Sequence, residues 1–142
     1  LSNHLYSDGD YKEMLYVDGG PSISDNVGFL KMDGGSVFKH AVKNISSAIT
    51  DALVYNNMSI KDVDWFVPHQ ANSRILDAVS KKIGIDNDKI IVTVDKHANT
   101  SAASIPLALC EAVSINKIKS GDIVLLAAMG GGFTWGSSII RW

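Results

Sequence analysis

The sequence has 142 residues and a mass of 15.3 kDa, with 46% hydrophobic residues, 20% charged residues and a formal net charge of −2. This length suits one domain, and the apolar, nearly neutral composition excludes an intrinsically disordered chain. The single cysteine excludes an internal disulfide scaffold and predicts a reducing, cytoplasmic compartment. The longest apolar run, residues 123–129, is far shorter than the ~20 residues that span a bilayer. Because the chain starts at Leu1 without a methionine, we expect a piece of a longer protein.

The first predicted elements are a weak strand over residues 27–32 and a long helix. Two glycines interrupt the chain after the strand, and Ser36 is the candidate N-cap of the helix. Asn56 is the predicted stop of this helix. Apolar side chains recur in it at spacings of three and four, which predicts one buried face. They are Phe38, Ala41, Val42, Ile45, Ile49, Ala52 and Leu53.

The middle of the chain predicts a buried strand followed by a second helix. Residues 65–67 form a continuous apolar run that ends at Pro68, which is typical of a strand buried on both faces. Asn72 and Ser73 open the helix, and Gly84 closes it.

The remaining elements are a strand, a helix and a final pair of strands. Residues 90–94 predict the strand, and residues 101–116 predict a helix whose small first residues indicate a central, buried position. Residues 123–128 and 133–141 predict two strands joined by a glycine connection short enough for antiparallel pairing. The order β-α-β-α-β-α-β-β therefore predicts a layered α/β domain with a mostly parallel sheet.

Three segments carry groups suited to chemistry, each with a structural alternative. His69 follows a buried strand, where ligands gather in parallel sheets, but backbone groups could equally satisfy its ring. Asn99 lies between a strand and a helix and can donate to an oxyanion, but Asn also caps helices. The glycines around Gly131 allow a backbone N–H to approach a ligand, or simply form a tight turn.

A local group of basic residues lies on the polar sides of the first two helices. It comprises Lys39 and Lys43 on the first and Arg74, Lys81 and Lys82 on the second. The chain is slightly acidic overall, so this group does not predict nucleic-acid binding. It indicates either a solvated surface or a site for an acidic partner.

Other chemical classes fit the sequence poorly. The four histidines lack metal-ligand spacing with cysteines or carboxylates, so no metal site is predicted. The glycine segment is not followed by the residues of a phosphate-binding loop. Cys110 lies in mid-helix without an adjacent cation, and we expect a small core residue rather than a nucleophile. His97 is expected to be structural or exposed.

Three motifs resemble β-ketoacyl-acyl carrier protein synthase III, a family of condensing enzymes in the thiolase-like superfamily. They are Val67-Pro68-His69-Gln70-Ala71-Asn72, Asn99-Thr100-Ser101-Ala102-Ala103-Ser104-Ile105-Pro106 and Gly130-Gly131-Gly132-Phe133-Thr134-Trp135-Gly136-Ser137. The resemblance runs from about His4 to Trp142 and covers only the C-terminal half of such enzymes. It implies that residues 1–142 form a thiolase-like half with a layered, five-stranded mixed sheet. It also implies a homodimer and an N-terminal half that carries the nucleophilic cysteine.

The resemblance also implies site residues. His69 and Asn99 match the catalytic His and Asn of the family, and Gly131 matches a glycine whose N–H lies in the oxyanion hole. Asn72 matches a residue near the coenzyme A pantetheine arm, and Phe38 matches a wall of the entry tunnel. The basic docking surface for the carrier protein is implied at Lys39, Arg74, Lys81 and Lys82.

The implied reaction is a decarboxylative condensation of acetyl-CoA, or another short acyl-CoA, with malonyl-acyl carrier protein. It requires no metal and no cofactor beyond these thioesters, and it involves neither nucleic acid nor a membrane. Ala98 stands where the family usually has glycine, and a side chain there opposes a positive φ. The alternatives are a non-catalytic binding or assembly domain of the same fold and a related enzyme that makes quinolones or polyketide starters.

Overall fold

The computed structural model describes residues 1–21 and 23–142. In chain order its strands and helices are β1 (Ser2–Ser7), β2 (Leu15–Val17), β3 (Leu30–Met32), α1 (Gly34–Tyr55), β4 (Trp65–Pro68), α2 (Ser73–Ile83), α3 (Val94–His97), α4 (Ser104–Ser114), β5 (Ile123–Gly130) and β6 (Thr134–Arg141). The α/β class with a mixed sheet, implied by the resemblance, is confirmed. The mostly parallel sheet predicted from the element order is wrong, because one of the three strand pairs in the described main sheet is parallel. None of the helices in the described ranges is long and apolar enough to cross a membrane.

The main sheet has the strand order β1-β6-β5-β4. β4 is parallel to β5, and the other neighbouring strands are antiparallel, so the predicted antiparallel pairing of the last two strands is confirmed. A fifth segment lies along the free edge of β4, where Ile90 bridges Phe66 and the Ile91 N–H donates to the Phe66 carbonyl at 2.9 Å. The strand predicted over residues 90–94 is limited to this bridge, because the backbone beyond it donates to the Gln70 side chain.

The first strands differ from the prediction. The strand expected over residues 27–32 is shortened to β3, which pairs with β2 in a separate two-stranded sheet. One edge of the main sheet is formed by β1, a strand that the sequence did not predict. β1 contains a single aliphatic side chain, Leu5, and that side chain is 82% exposed. Backbone pairing with β6 therefore holds β1 in place, and its sequence lacks the apolar alternation typical of a half-buried strand.

The predicted helices α1 and α2 are confirmed, but the N-cap residue of α1 differs from the prediction. α1 follows Asp33, whose carboxylate accepts from the Ser36 N–H at 3.2 Å and from the Ser36 hydroxyl at 2.7 Å. Asp33 rather than Ser36 is therefore the N-cap. Asn56 caps the end of α1, and α2 lies between Asn72 and Gly84, whose φ of +75° favours glycine.

Hydrophobic side chains pack on both faces of the central strands. Along β4 and β5, Phe66 and Leu125 belong to the cluster formed with α1 and α2, whereas Val67 and Val124 pack with α4. This alternation follows from the two-residue period of a strand. It produces three layers, with β4 and β5 in the middle and their parallel carboxyl ends at the same edge of the sheet.

α4 is buried along one side only, contrary to its predicted central burial. Ser104, Ala108 and Ala112, spaced four residues apart, are its buried positions. Leu107 is 38% exposed, and Cys110 is exposed as well. The prediction of Cys110 as a core residue is therefore wrong for this chain, because the side chain lies away from the buried stripe.

Candidate active site

The segment after β4 places His69 at the carboxyl edge of the sheet. Its backbone N–H donates to the Ala127 carbonyl on β5 at 2.8 Å, which extends the pairing of the two parallel strands by one residue. The side chain is half-buried, and its Nδ1 lies 2.6 Å from Oγ of Ser104. Burial lowers the pKa of His69 below its ordinary value of 6.5, so the ring is neutral at pH 7.

Gln70 joins the His69 segment to the chain that leads to Asn99. Gln70 is fully buried, and its Nε2 donates to the carbonyls of Pro68 at 2.8 Å and Ile91 at 3.1 Å. Its Oε1 accepts the two backbone N–H groups at the start of α3, at 2.8 and 3.1 Å. All four hydrogen-bonding positions of the carboxamide are thus occupied, and the two loops are held at a fixed separation.

Asn99 follows α3 and has one end of its carboxamide held in place. Its Oδ1 accepts the Ser101 N–H at 3.0 Å, and Nδ2 makes no hydrogen bond within the described part of the chain. The capping alternative is wrong, because Thr100 and Ala103 hold the N-cap positions of the next helical segments and the Asn99 oxygen only closes a local turn. The exposed amino end remains free to donate to a ligand.

Gly131 lies in the turn between β5 and β6, where the backbone closely approaches β2. A Cβ at this position would lie 2.7 Å from the Leu15 carbonyl oxygen, so only glycine fits without displacing that strand. The turn is held by the fully buried Phe133, whose ring stacks on Tyr11 and contacts His40. Gly131 can therefore form a tight turn and also present its backbone N–H to a ligand.

His69, Asn99 and Gly131 line the same cavity, which has a volume of about 1030 Å³. Its other walls come largely from β1, β5 and β6, including the side chains of Leu126 and Trp135. The topology therefore brings together three groups that are up to 62 residues apart in sequence (131 − 69). A neutral imidazole, a carboxamide and a glycine backbone can together bind a carbonyl oxygen as it gains negative charge.

Phe38 and Asn72 do not lie among the residues that line this cavity. Phe38 packs against the core, and the Arg74 guanidinium lies 5.7 Å from the centre of its ring. Oδ1 of Asn72 accepts the Ile75 N–H at 3.0 Å and caps α2. The substrate contacts implied for both residues stay predictions.

The four basic residues of the expected docking surface fall into two groups, all of them exposed. Lys39 lies in the second turn of α1 and Arg74 in the first turn of α2, and the contact between Arg74 and Phe38 brings these turns together. Lys81 and Lys82 lie in the last turn of α2, about 10 Å from Arg74 along the helix axis.

Two residues near the site were not singled out by the sequence. Ser104 and Gln70 lie within the quoted motifs, but their side chains are uncharged, and neither composition nor spacing distinguished them from the residues around them. His97 is exposed and pairs with Glu111 at 3.3 Å, which confirms the expectation of an exposed role.

Ala98 adopts a backbone conformation that is unfavourable for its side chain. Its φ of +55° with ψ of −160° belongs to a region populated almost only by glycine. We expect Ala98→Gly to raise the free energy of unfolding by about 1 kcal/mol, since relief of strain of about 1–3 kcal/mol exceeds the entropy cost of glycine. Chemical denaturation measures the change.

The matched control for Ala98→Gly is Ala78→Gly within α2, where the backbone is helical. This control is expected to lower the free energy of unfolding by about 1 kcal/mol. A loss of stability in both variants would contradict the strain at Ala98.

Comparisons with known proteins identify the family of this chain. The family model described as 3-oxoacyl-[acyl-carrier-protein (ACP)] synthase III C terminal matches residues 53–142. The β-ketoacyl-[acyl-carrier-protein] synthase III of Rhodospirillum centenum is 56% identical over 142 residues, which cover 100% of this chain and 44% of that protein.

Two solved structures give the same result. The 3-oxoacyl-[acyl-carrier-protein] synthase III of Aquifex aeolicus has a TM-score of 0.92 and 39% identity, with 100% of this chain and 44% of that one covered. The β-ketoacyl-[acyl-carrier-protein] synthase III of Thermus thermophilus has a TM-score of 0.90 and 39% identity, with 99% and 45% covered. The chain thus spans less than half the length of these relatives, and the resemblance seen in the motifs is confirmed. This chain belongs to the family of 3-oxoacyl-acyl carrier protein synthase III and corresponds to the C-terminal domain of these proteins.

Proposed function

We propose that the complete protein is a condensing enzyme that joins a short acyl group from coenzyme A to malonyl-acyl carrier protein. The observation that carries this proposal is the shared cavity of His69, Asn99 and Gly131, at the positions expected from the family. Residues 1–142 would form the C-terminal half, and an N-terminal half would contribute the nucleophilic cysteine. The relatives named above carry this activity in their names and are about twice as long as this chain.

The chemistry begins with acyl transfer to the cysteine and continues with loss of CO₂ from the malonyl thioester. The electron pair of the breaking C–C bond forms an enolate, and its negative charge collects on the thioester oxygen. An imidazole N–H of His69 and the Nδ2–H of Asn99 donate to this oxygen. One such preorganised donor is worth about 3–4 kcal/mol of transition-state stabilisation, so the pair lowers the barrier without a metal or another cofactor.

The enolate carbon then attacks the acyl-cysteine thioester. The carbonyl oxygen of that thioester becomes an oxyanion, which the Gly131 N–H stabilises together with an N–H of the N-terminal half. Collapse of the tetrahedral intermediate releases the cysteine thiolate and forms 3-oxoacyl-acyl carrier protein. Gly131 lines the cavity and is exposed, and no Cβ at this position shields its N–H, which supports this role.

The proposal also assigns contacts to the carrier protein, to coenzyme A and to the N-terminal half. Lys39 and Arg74, with Lys81 and Lys82 farther along α2, are proposed to attract the acidic carrier protein and to act mainly on the association rate. Phe38 and Asn72 are proposed to contact the coenzyme A arm. The open, apolar cavity and the exposed side of α4 fit coverage by the N-terminal half within a cytoplasmic homodimer.

The test is turnover by the complete protein with acetyl-CoA and malonyl-acyl carrier protein, followed by mass spectrometry of the carrier protein. We expect a 3-oxoacyl product from the complete protein and none from residues 1–142 alone. Cys110→Ala in the complete protein is the control, and it is expected to keep full activity because Cys110 does not line the cavity. Turnover by the isolated chain would contradict the proposal, and carrier binding without any turnover would favour the assembly-domain alternative.

A further inference from the structure

Ser104 is the buried side chain that contacts His69 most directly. It is the first residue of α4, is 2% exposed, and lies with Oγ 2.6 Å from the His69 Nδ1. The Gln70 N–H donates to the same oxygen at 3.2 Å. A serine hydroxyl has one proton and two acceptor positions, so these two contacts limit how that proton can be arranged.

The hydroxyl proton of Ser104 has one acceptor within the described residues, and this acceptor is Nδ1 of His69. If the imidazole proton were on Nδ1, it would donate to Oγ, and the buried hydroxyl proton would have no partner. With the imidazole proton on Nε2, the Ser104 hydroxyl donates to Nδ1 and accepts from the Gln70 N–H, so the hydroxyl proton and the Nδ1 lone pair are both satisfied. Buried donors without a partner are rare because they lose their hydrogen bonds to water.

We propose that Ser104 is a positioning residue that holds His69 as the Nε2–H tautomer, with this N–H available to the cavity. The inference deepens the function proposed above and rests on it. A proton on Nε2 makes that nitrogen a donor to the enolate oxygen. The other tautomer would present a lone pair to a developing negative charge and would repel it.

The contact also limits the orientation of the ring. The backbone of His69 is held by Ala127 on β5 in the middle layer, while Nδ1 is held by Ser104 of α4 in the adjacent layer. Removing the hydroxyl leaves the imidazole free to rotate about its bond to Cβ and leaves Nδ1 without a donor. Both changes weaken donation to the enolate, and neither affects a cysteine in the other half of the protein.

The experiment measures the two half-reactions and the tautomer in the complete protein. In Ser104→Ala we expect malonyl decarboxylation to slow about tenfold, while acyl transfer to the cysteine stays within about twofold. In protein labelled with ¹⁵N-histidine, the wild-type His69 resonances should show a proton on Nε2 and an unprotonated Nδ1. In Ser104→Ala the ¹⁵N chemical shifts of His69 Nδ1 and Nε2 should move towards each other, because both tautomers become populated.

Ser80→Ala is the matched control, because Ser80 is also fully buried but donates to the Leu76 carbonyl within α2. It should leave both half-reactions and the His69 resonances unchanged. A wild-type proton on Nδ1, equal loss of both half-reactions in Ser104→Ala, or unchanged decarboxylation would each overturn the role of Ser104. Decarboxylation that survives His69→Ala would instead overturn the proposed function itself.

Discussion

His69→Ala in the complete protein is expected to slow malonyl decarboxylation by at least about 10²-fold, with acyl transfer from coenzyme A to the cysteine within about twofold of wild type. The reason is that negative charge develops on the malonyl thioester oxygen only when CO₂ leaves. In the proposed mechanism the imidazole donates to this oxygen, whereas acyl transfer depends on the cysteine and the oxyanion hole. Release of labelled CO₂ and the mass of the acyl-enzyme report the two steps separately.

Asn99→Ala should give the same division between the half-reactions, because Asn99 lines the same cavity and its Nδ2 has no hydrogen-bond partner among the described residues. His97→Ala is the control, since His97 is exposed, pairs with Glu111 and does not line the cavity. We expect both of its half-reactions to stay at wild-type rates. An equal loss of acyl transfer and decarboxylation in His69→Ala would contradict the assigned role, because a donor to the enolate oxygen acts on one step only.

The parts of the fold that the sequence predicted well are those with strong local signals. The apolar run before Pro68 identified β4, and Asn72 with Gly84 identified the ends of α2. Local chemistry was sufficient for these elements, since caps and strand ends involve residues that are close in sequence. His69 and Asn99 were singled out by their position at junctions between elements, but their roles were implied only by the resemblance.

The parts that were missed depend on contacts between distant residues. Ser104 reaches His69 across 35 positions, and composition gives no sign of this contact. β1 is a polar segment that becomes a strand because β6 offers its backbone groups, 131 positions away at Leu5 and Gly136 (136 − 5). Cys110 was expected in the core because it lies in mid-helix without an adjacent cation, although only one side of α4 is buried in this chain.

Gln70→Ala is expected to lower the free energy of unfolding by about 3 kcal/mol or more. The substitution leaves two carbonyls and two N–H groups without their partner in a fully buried position, and each such group costs about 1–3 kcal/mol unless water enters. The affected groups include the backbone N–H groups at the start of α3, which precedes Asn99. Chemical denaturation of the complete protein measures the loss.

Asn3→Ala is the control for Gln70→Ala, because among the described residues this exposed carboxamide accepts one hydrogen bond, from the Ser138 hydroxyl at 2.7 Å. We expect it to change the free energy of unfolding by less than about 1 kcal/mol. In Gln70→Ala the decarboxylation half-reaction should also slow, even where the protein stays folded, since the loops that carry His69 and Asn99 are no longer joined. A Gln70→Ala variant as stable as Asn3→Ala would show that water replaces the carboxamide, and the two loops would then be held by the sheet and α4 alone.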